Sequence, residues 1–438
     1  MKMLRFTSAG WSANLLFGSV FRWRAAVLAR TFGVALGVGG YFLLSPAAFP
    51  QGSLTPPGAP TPTMKTLDQV EARIPIDATH TPGDANNEFI ITQRGSYYLT
   101  GNLNVSKSTG ISVTANGGVT VDLNGFQVAR FIGSVGTGIS ATGLLSNYTI
   151  QNGSVSGFST GIFGAPRGGR ISFINVSFCS QAGIAVGEGW GVDHCNAHEN
   201  TGNGIAVGNG CIVSQCTASN NGLRGITTTN GSTIVDCSAY GNQSLAGIST
   251  GTGCTVTHCT ATANTSAGVF SAGILTGAGC LVVSCTATSN LNTNGTPTTQ
   301  TGAGIIVGTR CAVHGCSVSG NKGDGINAIS DCIISDNAAA ANGNGGDGAG
   351  IHVTSNSNRI EANNVTSNDR GIDVSAAGNV IVRNTAGHNT TNYSIVAGNH
   401  YGPIVDNTDE TPANAPAATG NSAVGDFNTT HPWANIAY

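Results

Sequence analysis

Twelve glycines, each followed by isoleucine, punctuate the chain at Gly110, Gly138, Gly161, Gly183, Gly204, Gly225, Gly247, Gly273, Gly304, Gly325, Gly350 and Gly371. The commonest step between them is 21 or 22 residues, with a few longer ones. A repeat near twenty residues describes a solenoid, in which each unit buries its apolar edge only against its neighbours. The 438 residues could hold two or three ordinary domains, but a solenoid spends that length on one elongated body.

One unit, GIAVGNGCIVSQCTASNNGLR from Gly204, shows the internal pattern. Ile205 and Val207 alternate, then Cys211 and Val213, then Cys216 and Ala218, with a turn after each pair. Period-two alternation marks short strands whose inward positions face a common core. The units at Gly183, Gly225, Gly247, Gly273 and Gly304 keep this frame. The expected fold is therefore all-β: a single-stranded, right-handed parallel β-helix with three strands per coil and about twelve coils. Composition agrees, because 64 Gly and only 9% charged residues leave little material for amphipathic helices. A net charge of −3 without a basic stripe argues against nucleic acid as a partner.

The frame sorts polar residues into columns. One inward column runs Cys195, Cys216, Cys237, Cys259, Cys285, Cys316, Asn337, Asn363, Asn384. A second runs Cys211, Ser232, Cys254, Cys280, Cys311, Cys332, Asn358, Asn379. Such Cys columns are expected to be buried thiols serving as small apolar core residues. Zinc would need four ligands converging on one point. Disulfides between adjacent coils would need stacked Cβ atoms to approach from about 4.8 Å to about 3.8 Å. Stacked Asn amides can bond one another as a ladder. A separate column at the last turn, from Asn200 through Asn221, Asn242, Asn264, Asn290 and Asn321 to Asn342, should satisfy turn backbone groups.

The termini differ from the repeat. Arg22, Arg24 and Arg30 precede an apolar run at 31–44 and small residues Ser45-Pro46-Ala47-Ala48, the pattern of an export signal. Residues 1–48 are thus read as a signal peptide or uncleaved anchor, which would be the one route to a membrane. Residues 49–65, with Pro50, Pro56, Pro57, Pro60 and Pro62, form a linker. An N-terminal cap is expected at 66–94, the β-helix at 95–392 and a C-terminal cap at 393–438, anchored by Trp433 and Tyr438.

The segments GSYYLTGNLNVSKSTGISVTANGGVTVDLNGFQV and YTIQNGSVSGFSTGI resemble the opening coils of exported bacterial right-handed β-helix proteins of the pectate-lyase-like superfamily. The closing NYSIVAGNHYGPIV and HPWANIAY are similar to a group within it. The resemblance spans roughly residues 66–438 and implies an extracellular, periplasmic or cell-surface location. It implies little about activity, since the superfamily hosts lyases, hydrolases, epimerases and adhesins. The catalytic signatures of polygalacturonase-like members do not transfer: the chain has no Asp-Asp pair and no Arg-Ile-Lys, and offers Gly387-His388-Asn389 in place of Gly-His-Gly. The calcium carboxylates of pectate-lyase-like members have no compact counterpart in the central coils.

Candidate sites follow from departures from the template. Insertions at 265–272, 291–303 and 343–349 leave from one corner, where solenoids commonly bind partners. Beside it, His352 and Asp373 share the outward position of the first strand on successive coils, with Asp324, Asp347, Asp369 and Arg370 in the turns leading in. Carboxylates with His and Arg suit proton transfer on a sugar, or calcium held by carboxylate and carbonyl oxygens; a solvated charged edge is the plainer alternative. No other cofactor is expected. Asp236 and His258, with His194 two coils away, form a weaker pair on the third strand's outer face. The outward pairs Thr217/Ser219, Thr260/Thr262, Thr286/Thr288 and Ser317/Ser319 make a hydroxyl lattice interrupted by Ser238/Tyr240. The expected function is an exported envelope or cell-surface protein, monomeric, binding polysaccharide along its long face and corner loops. The alternatives are a polysaccharide lyase, hydrolase or epimerase at the His352/Asp373 edge, and a purely structural spacer or adhesin.

Overall fold

The computed structural model describes residues 72–131, 133, 135–145, 147–165, 167–266, 271–293, 301–343, 348–406, 418–420 and 432–438. The expected signal segment at 1–48, the linker at 49–65 and the middles of the three insertions, Asp347 among them, lie outside the described residues. Among those described there is no α-helix. The strands form a 15-stranded sheet, a 28-stranded sheet and one two-stranded pair. The unit at Gly204 places strand Ile205–Val207 in the first sheet and strands Ile212–Ser214 and Thr217–Ser219 in the second.

Parallel register carries each position onto its equivalent in the next unit. Ile184 pairs with Ile205, Ile205 with Ile226, and Ile226 with Ile248, and all of these isoleucines are fully buried. Each side chain so covered is worth about 1.5–3 kcal/mol. The first sheet has more strands than the twelve coils counted from glycine, and the chain makes about fourteen turns. The excess lies where the marker changes. Phe89 aligns with Ile111, so Glu88 stands in the glycine position, and Tyr393 aligns with Ile372, so Asn392 does. Strand pairing thus extends into both segments expected to be caps: Asn87–Ile91 stacks on Thr109–Val113, and Asn435–Ala437 on Thr385–Gly387. Over fourteen steps of about 4.8 Å the stack runs about 67 Å. At its end the Tyr438 ring stands edge-on to His388, 5.3 Å away.

Three corners of each coil are turned by one residue in the left-handed region. At the first stand Gly210, Gly231 and Gly253 (φ 62°, 64° and 64°), at the second Gln215, Asp236 and His258 (φ 51°, 54° and 52°), and at the third Asn220, Gly241 and Ala263 (φ 52°, 64° and 54°). The residue that follows points inward, and its backbone N–H is directed along the stack to a side chain of the next coil. Asn221 N–H donates to Asn242 Oδ1 at 3.1 Å, and Asn242 N–H to Asn264 Oδ1 at 3.1 Å. Asn242 Nδ2 donates to Ala218 O at 3.0 Å, one coil back, and to Asn264 Oδ1 at 3.0 Å. The ladder therefore satisfies corner groups that would otherwise be buried unpaired, at about 1–3 kcal/mol each.

The Cys columns are buried core thiols, as the spacing implies, and they also take part in this corner bonding. Cys216 N–H donates to Cys237 Sγ at 3.5 Å, and the Cys216 thiol donates to Ser214 O at 3.1 Å. In the neighbouring column Cys211 N–H donates to Ser232 Oγ at 3.2 Å. Cys, Ser and Asn interchange because each offers a small acceptor and a donor at one point. All 12 cysteines are buried and unbridged. Burial pushes the Cys179 thiol up to about 11.

The glycine marker has a packing cause. A Cβ on Gly204 would lie 2.7 Å from Asn221 Nδ2, on Gly225 2.6 Å from Asn242 Nδ2, and on Gly247 2.5 Å from Asn264 Nδ2. None of these three is among the positive-φ glycines, so space rather than backbone freedom excludes a side chain. Gly-Ile is thus one half of a lock whose other half is the Asn column. The insertions also stack: Thr265–Ser266 pairs with Leu291–Asn292 as the small separate sheet.

Candidate functional site

The outward row of the first sheet carries both features that stand apart from a uniform rod. Strand geometry sends Ile351 and Val353 inward and His352 outward, and likewise Ile372 and Val374 inward and Asp373 outward. The register stacks Asn327 on His352, His352 on Asp373, and Asp373 on Ser394. Adjacency of His352 and Asp373, expected from the repeat, holds. Their solvation does not: His352 is 6% and Asp373 4% exposed, and Asp324 is fully buried.

Burial forces these groups to pair. Asp324 Oδ2 lies 2.9 Å from His352 Nδ1 and accepts from Asn327 Nδ2 at 2.7 Å, while its Oδ1 accepts the Ala349 N–H at 2.7 Å. Because a carboxylate facing Nδ1 can only accept, Nδ1 carries the imidazole proton. Nε2 then faces the Ser375 hydroxyl at 2.9 Å, with Asp373 Oδ2 at 3.7 Å. Arg370 Nη1 holds Asp373 Oδ2 at 3.1 Å. Desolvation opposes the imidazolium, yet the Asp324 hydrogen bond and charge, followed by Asp373, outweigh it and raise the His352 pKa. Desolvation also pushes the Asp324 pKa up, against the His352 hydrogen bond and charge, the Ala349 N–H and the Asn327 amide, which favour its ionised form.

Of the six sequence-derived site residues, Asp324, His352, Arg370 and Asp373 form this cluster. Asp369 lies in the turn beside the third insertion, where a Cβ on Gly343 would meet its carboxylate at 2.6 Å. Asp347 lies outside the described residues. Ser375 and Asn327 went unnoticed in the sequence. Asn327 occupies the His352 position one coil earlier, and Ser375 is the next outward residue after Asp373, so the alternation itself would have reached both. Among the described residues no group of three or more His, Cys, Asp or Glu is arranged to hold a metal ion.

The weaker pair is placed differently from the sequence reading. Asp236, His258 and His194 are corner residues with φ of 54°, 52° and 49°, not strand residues. Asp236 and His258 approach to 3.8 Å at the surface, whereas His194 bonds Asp193 at 3.0 Å and stacks on Phe173 at 4.8 Å. The hydroxyl lattice is real as a register, with Thr262 and Thr288 hydroxyls 3.1 Å apart. It is short, because Ser317 and Ser319 are followed by Ala338 and Ala340.

Further up the same outward row runs Phe163, Ala185, Ala206 and Thr227, in register over four coils. Small side chains leave a shallow groove of about 500 Å³ there. Its edge residues include Gly164, Gly187, Gly208 and Thr229, and none of its lining is charged.

Residues 137–290 match the family described as right handed beta helix region. No curated protein matches the chain in sequence. Among solved structures, the chain is similar to the A-module of the mannuronan C-5 epimerase AlgE4 of Azotobacter vinelandii, at 16% identity and a TM-score of 0.46 over 66% of this chain and 85% of that one. It is also similar to the AlgE6 A-module of the same organism, at 14% identity and TM-score 0.45 over 79% of this chain and 91% of that one. The Dettilon tailspike protein aligns at 14% identity and TM-score 0.39, covering 75% and 61% of the two chains. Likenesses of this size say nothing about the activity of this chain. The family match over residues 137–290, and the same parallel stacking on either side of it, make this chain a right-handed parallel β-helix.

Proposed function

We propose that this is an exported envelope or cell-surface protein that binds polysaccharide along the outer face of its first sheet. The observation that supports the reading is the uncharged groove over Phe163, Ala185, Ala206 and Thr227. Its floor of methyl groups and backbone suits the flat C–H face of a pyranose ring. The outward Thr227 and Thr229 hydroxyls at one end suit the ring's equatorial hydroxyls. Three coil-to-coil steps give it a length of about 14 Å, enough for a short run of sugar units. A lyase, hydrolase or epimerase acting on the sugar ring through His352 and Asp373 is less favoured, since both are nearly as buried as the core.

Affinity electrophoresis and calorimetry against a panel of soluble neutral and uronic polysaccharides test the reading. Ala206→Arg puts a long charged side chain across the floor and should weaken binding at least tenfold while leaving the melting temperature within a degree or two. Failure to bind any member of the panel, or binding indifferent to Ala206→Arg, overturns it in favour of a structural spacer.

A further inference from the structure

The His352 cluster orders three groups by exposure in a way that binding along the groove does not use. Asp324 is fully buried, His352 is almost so, and Ser375, the first residue beyond strand Arg370–Val374, is exposed. The imidazole bridges the two ends, Nδ1 to the carboxylate at 2.9 Å and Nε2 to the hydroxyl at 2.9 Å. A nucleophile needs a base within hydrogen-bond reach, and the base needs a third group to fix its tautomer; both requirements are met here. Asp324 is itself fixed by the Asn327 amide and the Ala349 N–H. The Ser375 backbone is anchored by its N–H to Val353 O at 3.0 Å.

We propose that Ser375 is a nucleophile toward carboxylic esters, with His352 as its general base and Asp324 as a positioning residue. This site is independent of the groove reading. As Oγ bonds to the acyl carbon, its proton passes to His352 Nε2. The bond from acyl carbon to the alkoxy oxygen breaks, and that oxygen takes the proton from His352, leaving an alcohol and an acyl-serine. Water then repeats the sequence: it gives a proton to His352, its oxygen bonds the acyl carbon, and the departing Ser375 Oγ recovers the proton as a carboxylic acid leaves. Asp324 and Asp373 both stabilise the imidazolium formed on the way, while Arg370 balances Asp373. No helix follows Ser375, so the amides of a strand-to-helix elbow are not available to an oxyanion. The base alone accounts for about 10²–10⁴-fold acceleration, which points to slow turnover and to covalent capture as the sensitive readout.

The experiment treats the full-length protein with a fluorophosphonate, whose fluoride leaves as the Ser375 oxygen bonds phosphorus, and maps the adduct by peptide mass. A single adduct at Ser375 is expected, absent in Ser375→Ala and in the unfolded chain. Its rate should rise with pH as His352 deprotonates, and should fall at least 100-fold in His352→Gln. Asp324→Asn should move the midpoint of that pH profile downward and lower its plateau at least tenfold, which loss of packing alone would not do. Because His352 and Asp324 are buried, Ser375→Cys provides an exposed second probe: iodoacetamide should alkylate it with a midpoint below the ordinary thiol value of about 8.5. Three results overturn the proposal: no adduct at Ser375, an adduct formed equally fast in a natively melting His352→Gln, or an alkylation midpoint at or above about 8.5 for the thiol of Ser375→Cys.

Discussion

Gly247→Ala isolates the lock between the glycine marker and the Asn column. The added methyl would lie 2.5, 2.7 and 2.9 Å from Nδ2, Cγ and Oδ1 of Asn264, all well inside contact distance. Asn264 cannot step aside cheaply. Its Oδ1 accepts from the Asn242 N–H at 3.1 Å and Asn242 Nδ2 at 3.0 Å, and its Nδ2 donates to Ala239 O at 3.1 Å and Asn290 Oδ1 at 3.0 Å. Losing two of these four bonds in a buried corner costs about 2–6 kcal/mol, at roughly 1–3 kcal/mol for each of two groups left unpaired. Gly253 in the same coil is the control. It has φ of 64° and open space around its Cβ position, so Gly253→Ala should cost only the left-handed backbone strain of about 1–2 kcal/mol. Urea unfolding followed by circular dichroism gives both values, and hydrogen exchange at the Asn242 amide locates the damage. Equal destabilisation by the two substitutions, or an Asn242 amide still protected in Gly247→Ala, would refute the lock.

Other outcomes follow from the same structure. Cys237→Ser should stay within about 1 kcal/mol of the parent by denaturant midpoint, whereas Cys237→Ala should lose about 1–2 kcal/mol because the Cys216 N–H loses its acceptor. None of the 12 thiols should react with an aromatic disulfide reagent in the folded protein, and all should react after unfolding. The raised His352 pKa means that the folded state binds the proton more tightly than the unfolded one, so its contribution to stability is complete below about 6.5 and is lost as pH rises through the folded value. Thermal melts should therefore fall as pH rises above about 6.5, and His352→Gln should flatten that slope. Asp324→Ala, which strands the imidazole, the Asn327 amide and the Ala349 N–H together, should cost about 3–5 kcal/mol in equilibrium unfolding.

Much of the fold is legible in the chain because a parallel stack turns spacing into position. The Gly-Ile marker placed Ile205, Ile226 and Ile248 in one core row and made His352 and Asp373 neighbours across 21 residues. It failed at the ends, where Glu88 and Asn392 replace glycine without breaking register. It also said nothing about depth. Outward residues are ordinarily wet, so His352 and Asp373 read as a solvated edge; their burial depends on what surrounds the row, which no local pattern encodes. Ser375 was missed because its partner lies diagonally, on the preceding coil and two residues out of step. The Cys columns were legible as buried core thiols, while only the Ser and Asn sharing their columns show that the position also calls for a hydrogen bond.

Each corner amide of one coil donates to a side chain of the following coil, and that side chain donates back to the coil before it. This gives the rod a direction. A coil supplies the needs of its predecessor and depends for its own on its successor. The two ends are consequently not equivalent: trimming coils from the N-terminal side leaves spare side chains that water can receive, while trimming from the C-terminal side strips partners from three corners at once. The chain answers this at its far end by bringing Asn435, 51 residues downstream, to accept the Asn384 N–H at 3.0 Å. A nascent chain emerging N-terminus first would likewise leave each newly formed coil incomplete until the next one closed over it.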